Sequence, residues 1–198
     1  MADDAALLER PAETRVQALR RATHEAHEAL DGRIMAAKPF ASREAYARFV
    51  AVQRAFHADI NPLYADPALQ ALIPDLADRP RLAEVEQDLK DVEAAPLELL
   101  AAQETPSDLP SALGWLYVAE GSSLGAAFLL KEAAKLGLSE EFGARHLAGA
   151  PEGRGLHWKR FTQAVDAAEL TPEEDARAVA GAEAAFRRVR SLVEAAYA

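Results

Sequence analysis

Of the five histidines in this 198-residue chain, His27 has the neighbours best suited to binding a metal. Asp31 follows it by four residues, so on a helix its carboxylate lies on the same face and can accept the imidazole Nδ1–H, which leaves Nε2 free for the metal. Arg20 precedes it by seven residues, about 10 Å away along that face. A cation at that distance could meet a porphyrin propionate while His27 holds the iron. Taken singly, each residue would more commonly be a solvated side chain.

The first predicted helix, from about Glu13 to Leu30, separates His27 from its neighbour His24. At about 100° per residue, His27 lies about 70° from the centre of the apolar face and His24 about 130° from it. We therefore expect His27 at the edge of the buried face, with its imidazole directed into a cavity, and His24 on the solvent side. The apolar face is formed by Val16, Leu19, Thr23, Ala26 and Leu30.

The second feature is a pair of glycines, Gly121 and Gly125, inside GWLYVAEGSSLGAAFLLK (114–131), whose ends have the apolar spacing of an amphipathic helix. Each glycine inside a helix costs about 1 kcal/mol relative to alanine. Three interpretations stay open: close packing against another helix, a kink or loop without a ligand, or a helix laid across a planar ligand such as a porphyrin. The spacing alone does not choose, because small residues four apart are common.

Other metal chemistries find less support in the sequence. The chain has no cysteine, which excludes disulfides, thiolate catalysis and cysteine-ligated zinc or iron–sulfur clusters. His24 and His27 are three residues apart, whereas the zinc proteases need HExxH. The Glu-x-x-His motif of carboxylate di-iron bundles does not occur.

The composition limits the partners. Lys and Arg number 22 and Asp and Glu 32, so the formal net charge is −10. This balance argues against a general nucleic-acid binder and against an anionic membrane surface as partner. The acidic N-terminus does not resemble a signal peptide, and no apolar run is judged long enough to cross a membrane. We expect a cytoplasmic protein, monomeric by default, with no nucleic-acid or membrane partner.

The elements that must position these residues are predicted to be helices. Ala, Leu, Glu and Arg dominate and no convincing alternating strand occurs, so we predict an all-α fold with one domain over residues 1–198, of which 1–11 form a flexible tail. After the first helix, the predicted helices are Ser42–Tyr64, Pro67–Leu72, Arg81–Val92, Leu109–Leu136, Ser139–His146, Leu156–Ala168 and Thr171 to the C-terminus. Ser42 is predicted as a cap, and Thr171 begins a capping box. Prolines 96, 106 and 110 mark the connection to the central helix, and Ala148–Gly155 is predicted to be a loop.

Three segments carry a resemblance to a known family. LRRATHEAHEALDGRIM (19–35) resembles the proximal-helix signature of the haem oxygenases, with Thr23, Arg20 and Asp31 placed around His27 as in that family. The segment around Gly121 and Gly125 resembles the distal helix of the bacterial branch. RFVAVQRAFHADINPLYADPALQALIPDL (48–76) is similar to the second helix and following turn of the bacterial proteins.

The resemblance implies a single-domain helical fold that sandwiches haem between a proximal and a distal helix. Haem would then be both cofactor and substrate, cleaved with O2 and electrons to biliverdin, CO and ferrous iron. The electrons would come from an external donor of the ferredoxin or flavin reductase type. Two alternatives stay open: a non-enzymatic haem carrier or sensor on the same fold, and a helical binding module that binds no haem.

The resemblance also assigns roles to single residues. His27 would ligate the iron, with Asp31 behind it, and Gly121 and Gly125 would let the distal backbone lie close over the porphyrin. Ser122 stands where mammalian-type members have an aspartate that organises water, and backbone carbonyls would hold ordered water in place of a distal acid–base side chain. The further haem contacts implied are Arg20, Thr23, Tyr117, Ser123 and Lys131, with Lys159 and Arg160 as additional charges near the propionates. A base at Arg20 suits the orientation that gives the α isomer.

Overall fold

The computed structural model describes residues 13–93 and 100–198, which form helices and turns without a β-strand. This confirms the all-α prediction. The predicted N-terminal tail (1–11) and the proline at position 96 lie outside the described residues. The described helices are α1 (Arg15–Ala36), α2 (Arg43–Tyr64), α3 (Pro67–Leu72), α4 (Leu82–Asp91), α5 (Leu109–Ala134), α6 (Arg154–Ala167) and α7 (Pro172–Ala196), with 3₁₀ turns at Leu76–Asp78 and Arg145–Leu147.

Side-chain caps explain where the long helices begin. Thr14 forms a full capping box with Gln17 at the start of α1. Ser42 caps α2 by accepting from the Ala45 amide. The predicted capping box of α7 is present, because Thr171 and Glu174 satisfy each other's backbone amides. These caps fix the starts of α1, α2 and α7.

Helix α7 is the central packing partner, because it contacts α5, α1 and α2. The α5–α7 crossing is very close: a Cβ added at Gly114 would lie 2.1 Å from the Ala178 carbonyl oxygen, and one added at Gly181 would lie 2.3 Å from that of Ser111. The main core, which includes Leu19, Trp115 and Phe161, lies around this crossing. Helices α1 and α5 are therefore both held on α7.

The structure corrects two predicted boundaries and one predicted helix. Helix α1 runs on past Leu30 to Ala36, and α6 begins at Arg154, inside the predicted loop. The predicted helix over 139–146 is wrong. Ser139 and Phe142 instead exchange two backbone hydrogen bonds of 2.8 and 3.1 Å in a tight turn, and Gly143 follows at φ 76°. That left-handed conformation ends any helix and is easily adopted only by glycine.

Helix α5 is long and apolar enough to span a membrane by length and composition, so the expectation that no segment reaches this limit is wrong. Half of its most apolar stretch is buried inside the protein. It also carries the buried Glu120 in an ion pair. Its hydropathy is therefore accounted for by its place in the core between α7, α6 and α2.

Candidate functional site

His27 projects from α1 with most of its imidazole accessible. Its side chain is 61% exposed, and its Nδ1 lies 3.5 Å from the Asp31 carboxylate. The ring also makes an edge contact with Phe186 of α7, at 6.0 Å between centroids. The predicted face of α1 is confirmed, since Leu19, Thr23 and Leu30 are buried. The expected enclosure of His27 in a cavity is not found, because the imidazole is open to solvent.

His24 differs from His27 in its contacts rather than in its exposure. Its side chain is 65% exposed and pairs only with Glu28 on the same helix, at 3.4 Å. His27 is placed against the core by Phe186, and Asp31 approaches only its Nδ1. Its Nε2 is thus the nitrogen available to a ligand.

Arg20, Thr23 and Tyr117 lie together where α1 approaches α5. Burial raises the pKa of the Tyr117 phenol, and the neighbouring Thr23 hydroxyl and Arg20 guanidinium oppose that rise. Thr23 is itself buried and donates to the Leu19 carbonyl at 2.8 Å. The structure therefore brings three of the predicted haem-contact residues to one place.

The two glycines of α5 have different surroundings. A Cβ added at Gly125 would meet no atom of residues 13–93 and 100–198 within 4 Å, whereas one added at Gly121 would touch the Trp158 ring at 3.7 Å. Leu124 and Phe128 are exposed large apolar residues on the same helix, at 41% and 53%. The glycine strip is thus open at Gly125 and bordered by α6 at Gly121.

These contacts argue against two of the three interpretations of the glycine pair, the loop and the close packing at Gly125. Helix α5 is continuous from Leu109 to Ala134, so the loop interpretation is wrong. Close helix packing is found at Gly114 and not at Gly125. What remains is an open patch of backbone flanked by exposed apolar side chains, which a flat ligand could cover.

Ser122 and Ser123 do not share one face with the glycines. At about 100° per residue, Ser123 lies about 160° from both Gly121 and Gly125, on the opposite side of α5. Its carbonyl accepts a bond from Arg154 there, so we do not retain it as a haem contact. Ser122 is nearer the strip and donates to the Ala119 carbonyl at 2.7 Å.

The glycine segment also matches the GxSxG pattern of hydrolases, with Ser123 at the nucleophile position. In those enzymes the serine sits on a sharp turn between a strand and a helix. Here the whole segment lies inside the unbroken helix α5. The match therefore carries no hydrolase chemistry.

Behind α5, on the side of Ser122 and Ser123, a small cavity of about 40 Å³ is lined by His57, His146 and Gln53 among others. His57 Nδ1 and His146 Nε2 are buried there, and neither has a hydrogen-bond partner among the residues that the structure describes. A polar cavity of this size has room for ordered water. Sequence reasoning missed this cavity, because His57 and His146 are far apart in the chain.

Asp88 of α4 holds the His146 ring in place. Its buried carboxylate lies 2.7 Å from His146 Nδ1 and also accepts from the His146 amide. Burial acts to raise the pKa of Asp88, but these bonds outweigh it and lower the pKa. Because the carboxylate is ionised, the His146 Nδ1–H donates to it, and Nε2 points into the cavity. Burial lowers the pKa of His57 to about 3, so His57 is neutral.

A second buried polar cluster surrounds Glu120, the residue before Gly121. Its carboxylate accepts from Arg79 at 2.7 Å and from the Tyr64 hydroxyl at 2.9 Å. His157 of α6 lies 3.5 Å from the same carboxylate and 3.2 Å from Glu152. Sequence reasoning missed this cluster, because its members are far apart in the chain.

The remaining predicted cations are at the surface. Lys131 and Lys159 are exposed, and Arg160 lies 3.3 Å from Glu152. No measured contact links any of the three to Arg20 or His27 within the described part of the chain. Of the predicted propionate partners, only Arg20 and Tyr117 are therefore brought together.

The residues present fit haem as a bound group. His27 offers an accessible imidazole nitrogen, the ligand type that haem iron accepts. Gly125, Leu124 and Phe128 offer an open apolar surface for the macrocycle, and Arg20 offers a cation for its carboxylates. A ligand that is flat, apolar over its faces and acidic at one edge matches this set.

Comparison with known proteins agrees with that fit. The sequence profile of the family described as "Heme oxygenase" matches residues 14–195. The chain is 45% identical over 185 residues to Heme oxygenase PigA from Pseudomonas aeruginosa, covering 93% of each chain. Its fold matches the NO- and CO-bound heme oxygenase from Neisseria meningitidis with a TM-score of 0.88 and 41% identity, covering 94% of this chain and 93% of that one. These similarities favour an enzyme over a haem carrier or sensor and over a module without haem.

Proposed function

We propose a substrate-binding arrangement on the premise that this chain belongs to the haem oxygenase family and is an enzyme that cleaves haem to biliverdin, CO and ferrous iron. His27 would hold the iron through Nε2, and the Gly121–Gly125 segment of α5 would cover the porphyrin. The observation that carries this proposal is the His27 imidazole: it is 61% exposed, and Asp31 approaches its Nδ1. Bound haem supplies the iron that activates O2 and the ring that is oxidised.

His27 acts as a neutral ligand in this arrangement. Asp31, 3.5 Å from Nδ1, is placed to accept the Nδ1–H, which would fix the tautomer and strengthen the ligand. The edge contact with Phe186 restrains the ring from the side of α7. Together these two neighbours orient Nε2 without burying it.

Helix α5 supplies the oxygen side of the site. Gly125 gives the porphyrin direct access to backbone, since a side chain there would fill space that is now open. At Gly121 the Trp158 ring borders the backbone, so the access there is narrower than at Gly125. Water held by backbone carbonyls, with the Ser122 hydroxyl nearby, carries protons in place of a distal acid or base. The protein contributes orientation, close contact and a wet distal side.

The propionates are held at the end of the site where Arg20 and Tyr117 lie together, with Thr23 beneath the phenol. Lys131 is available for further charge from α5. This placement favours the rotation of haem in its plane that yields the α isomer of biliverdin. Product analysis that found mainly the β or δ isomer would contradict it.

The reaction requires O2 and reducing equivalents from another protein, and we propose a donor of the ferredoxin or flavin reductase type. With a formal charge of −10, this chain needs a local group of cations to meet an acidic donor. We propose that the chain acts as one domain, as a monomer, in the cytoplasm.

The test is turnover of added hemin. Titration of hemin should produce a saturable Soret band, and reductant with O2 should then replace that band by biliverdin absorption. A Soret band that persists under these conditions would indicate a carrier or sensor. The absence of any saturable spectrum would indicate a protein that does not bind haem.

A further inference from the structure

The first turns of α6 contact the glycine segment of α5 at three successive points. Arg154 donates from Nη1 to the Ser123 carbonyl at 2.6 Å. Trp158 lies against Gly121. His157 lies 3.5 Å from the Glu120 carboxylate. Residues 120–123 of α5 are therefore backed by α6.

The Arg154 contact is unusual for its position. The Ser123 carbonyl lies inside α5, where the amide four residues later already provides a helical bond. Arg154 adds a charged donor to that carbonyl and uses Nη2 to bind the Leu147 carbonyl as well. One guanidinium thus joins the start of α6, the 3₁₀ turn before it and the middle of α5.

The part of α5 that Arg154 contacts is also the part with the lowest intrinsic helix stability. Gly121 and Gly125 each cost about 1 kcal/mol of helix stability relative to alanine. Gly125 has no neighbouring atom to pack its outer side. An external donor between the two glycines therefore opposes local opening where the helix is weakest.

We propose that Arg154 is a positioning residue that sets the height of the Gly121–Gly125 backbone over haem. This inference rests on the proposed function, which places these glycines on the oxygen side. Arg154 contacts α5 at the Ser123 carbonyl, and Ser123 lies about 160° from Gly125 around the helix. Arg154 acts through the Ser123 carbonyl, so its loss affects where α5 lies rather than whether His27 binds iron.

The first readout needs no haem. Hydrogen exchange of the α5 peptide covering residues 122–131 should be about tenfold faster in Arg154→Met, because local opening is no longer opposed. Peptides from α1 and α7 should exchange as in the unaltered protein. Arg177→Met is the matched control: Arg177 contacts Asp108 at the start of α5, at 3.4 Å, far from the glycines. Unchanged exchange at 122–131, or equal acceleration in every helix, would overturn the proposal.

The second readout is the product of turnover. Arg154→Met should bind hemin within about twofold of the unaltered protein, yet give a broadened mixture of biliverdin isomers and release more hydrogen peroxide per electron consumed. Arg154→Lys lacks the planar fork, so it can reach only one of the two carbonyls. Its isomer mixture and its peroxide release should lie between those of Arg154→Met and those of the unaltered protein. It also keeps the test valid if the methionine variant folds poorly.

The outcomes separate the two proposals. If the unaltered protein makes no biliverdin, the proposed function fails. If it makes biliverdin and Arg154→Met gives the same isomers, the same peroxide release and the same exchange at 122–131, only the role of Arg154 fails.

Discussion

Arg79 donates to Glu120 at 2.7 Å, and the two side chains are 0% and 4% exposed. Glu120 directly precedes Gly121, so this pair ties the 3₁₀ turn at Leu76–Asp78 to the oxygen side of the proposed site. Arg79 is also bound by Asp75 through two further bonds of 2.9 and 2.8 Å. The one Arg79 guanidinium therefore pairs with two carboxylates at once.

Arg79→Met should strongly destabilise the fold. The substitution leaves the Glu120 carboxylate buried beside Tyr64 without its cation, and breaking such a pair costs about 3–5 kcal/mol. Chemical denaturation would measure the loss in the free energy of unfolding. Combining it with Glu120→Gln should recover part of that loss, since the uncompensated charge is gone. A loss below about 1 kcal/mol for the single variant would argue that water reaches the pair.

Alanine at two glycines of α5 should have opposite effects on stability. Gly114→Ala places a Cβ 2.1 Å from the Ala178 carbonyl oxygen, so α5 and α7 must separate at a cost of about 3 kcal/mol. Gly125→Ala meets open space and gains up to about 1 kcal/mol of helix propensity. Thermal or denaturant unfolding of the two variants measures the change in stability of each. Equal destabilisation would mean that Gly125 is packed.

A bulky side chain at Gly125 should separate haem uptake from haem cleavage. Gly125→Leu fills the proposed space for O2 without touching the iron ligand, so hemin should still give a Soret band while biliverdin formation falls by at least about tenfold. Hemin titration and single-turnover absorbance changes measure the two steps. If binding and cleavage fell together, α5 would not be the oxygen side.

The contribution of His157 to stability should depend on pH. The Glu120 carboxylate raises the pKa of His157, burial opposes this, and Glu152 raises it further. Because the folded-state pKa is raised, the stabilisation is fully present below the unfolded-state pKa of about 6.5 and is lost as pH rises through the folded-state value.

The measurement is the free energy of unfolding of the unaltered protein and of His157→Gln at pH values from 6 to 9. The difference between them should be largest at the acidic end of this range and should shrink as pH rises. His24→Gln serves as the control, because His24 is exposed on α1. A difference that grew with pH would contradict the assignment.

Much of the helical fold could be predicted from local sequence patterns. The caps at Ser42 and Thr171 and the apolar face of α1 follow from residue spacing alone, and the structure has them. The helix predicted over 139–146 failed because composition could not reveal that Gly143 adopts a positive φ and turns the chain. Propensity is a weak guide over so short a segment.

The parts of the site that could not be predicted depend on long-range packing. Nothing in the sequence indicated that Gly114 and Gly181 would meet at the α5–α7 crossing. Arg154 lay in a predicted loop, and its partners are 31 and 7 residues away in the chain. Helical spacing alone places Ser123 about 160° from Gly125, but its predicted role rested on resemblance and not on that angle.

The central claim, that His27 binds the haem iron, is tested most directly by hemin titration of matched histidine variants. His27→Ala should lose the spectrum of histidine-ligated haem, and added imidazole should restore it. His24→Ala, altered three residues away on the same exposed stretch of α1, should bind as the unaltered protein does. An unchanged Soret spectrum in His27→Ala, or its loss in His24→Ala instead, would contradict the account.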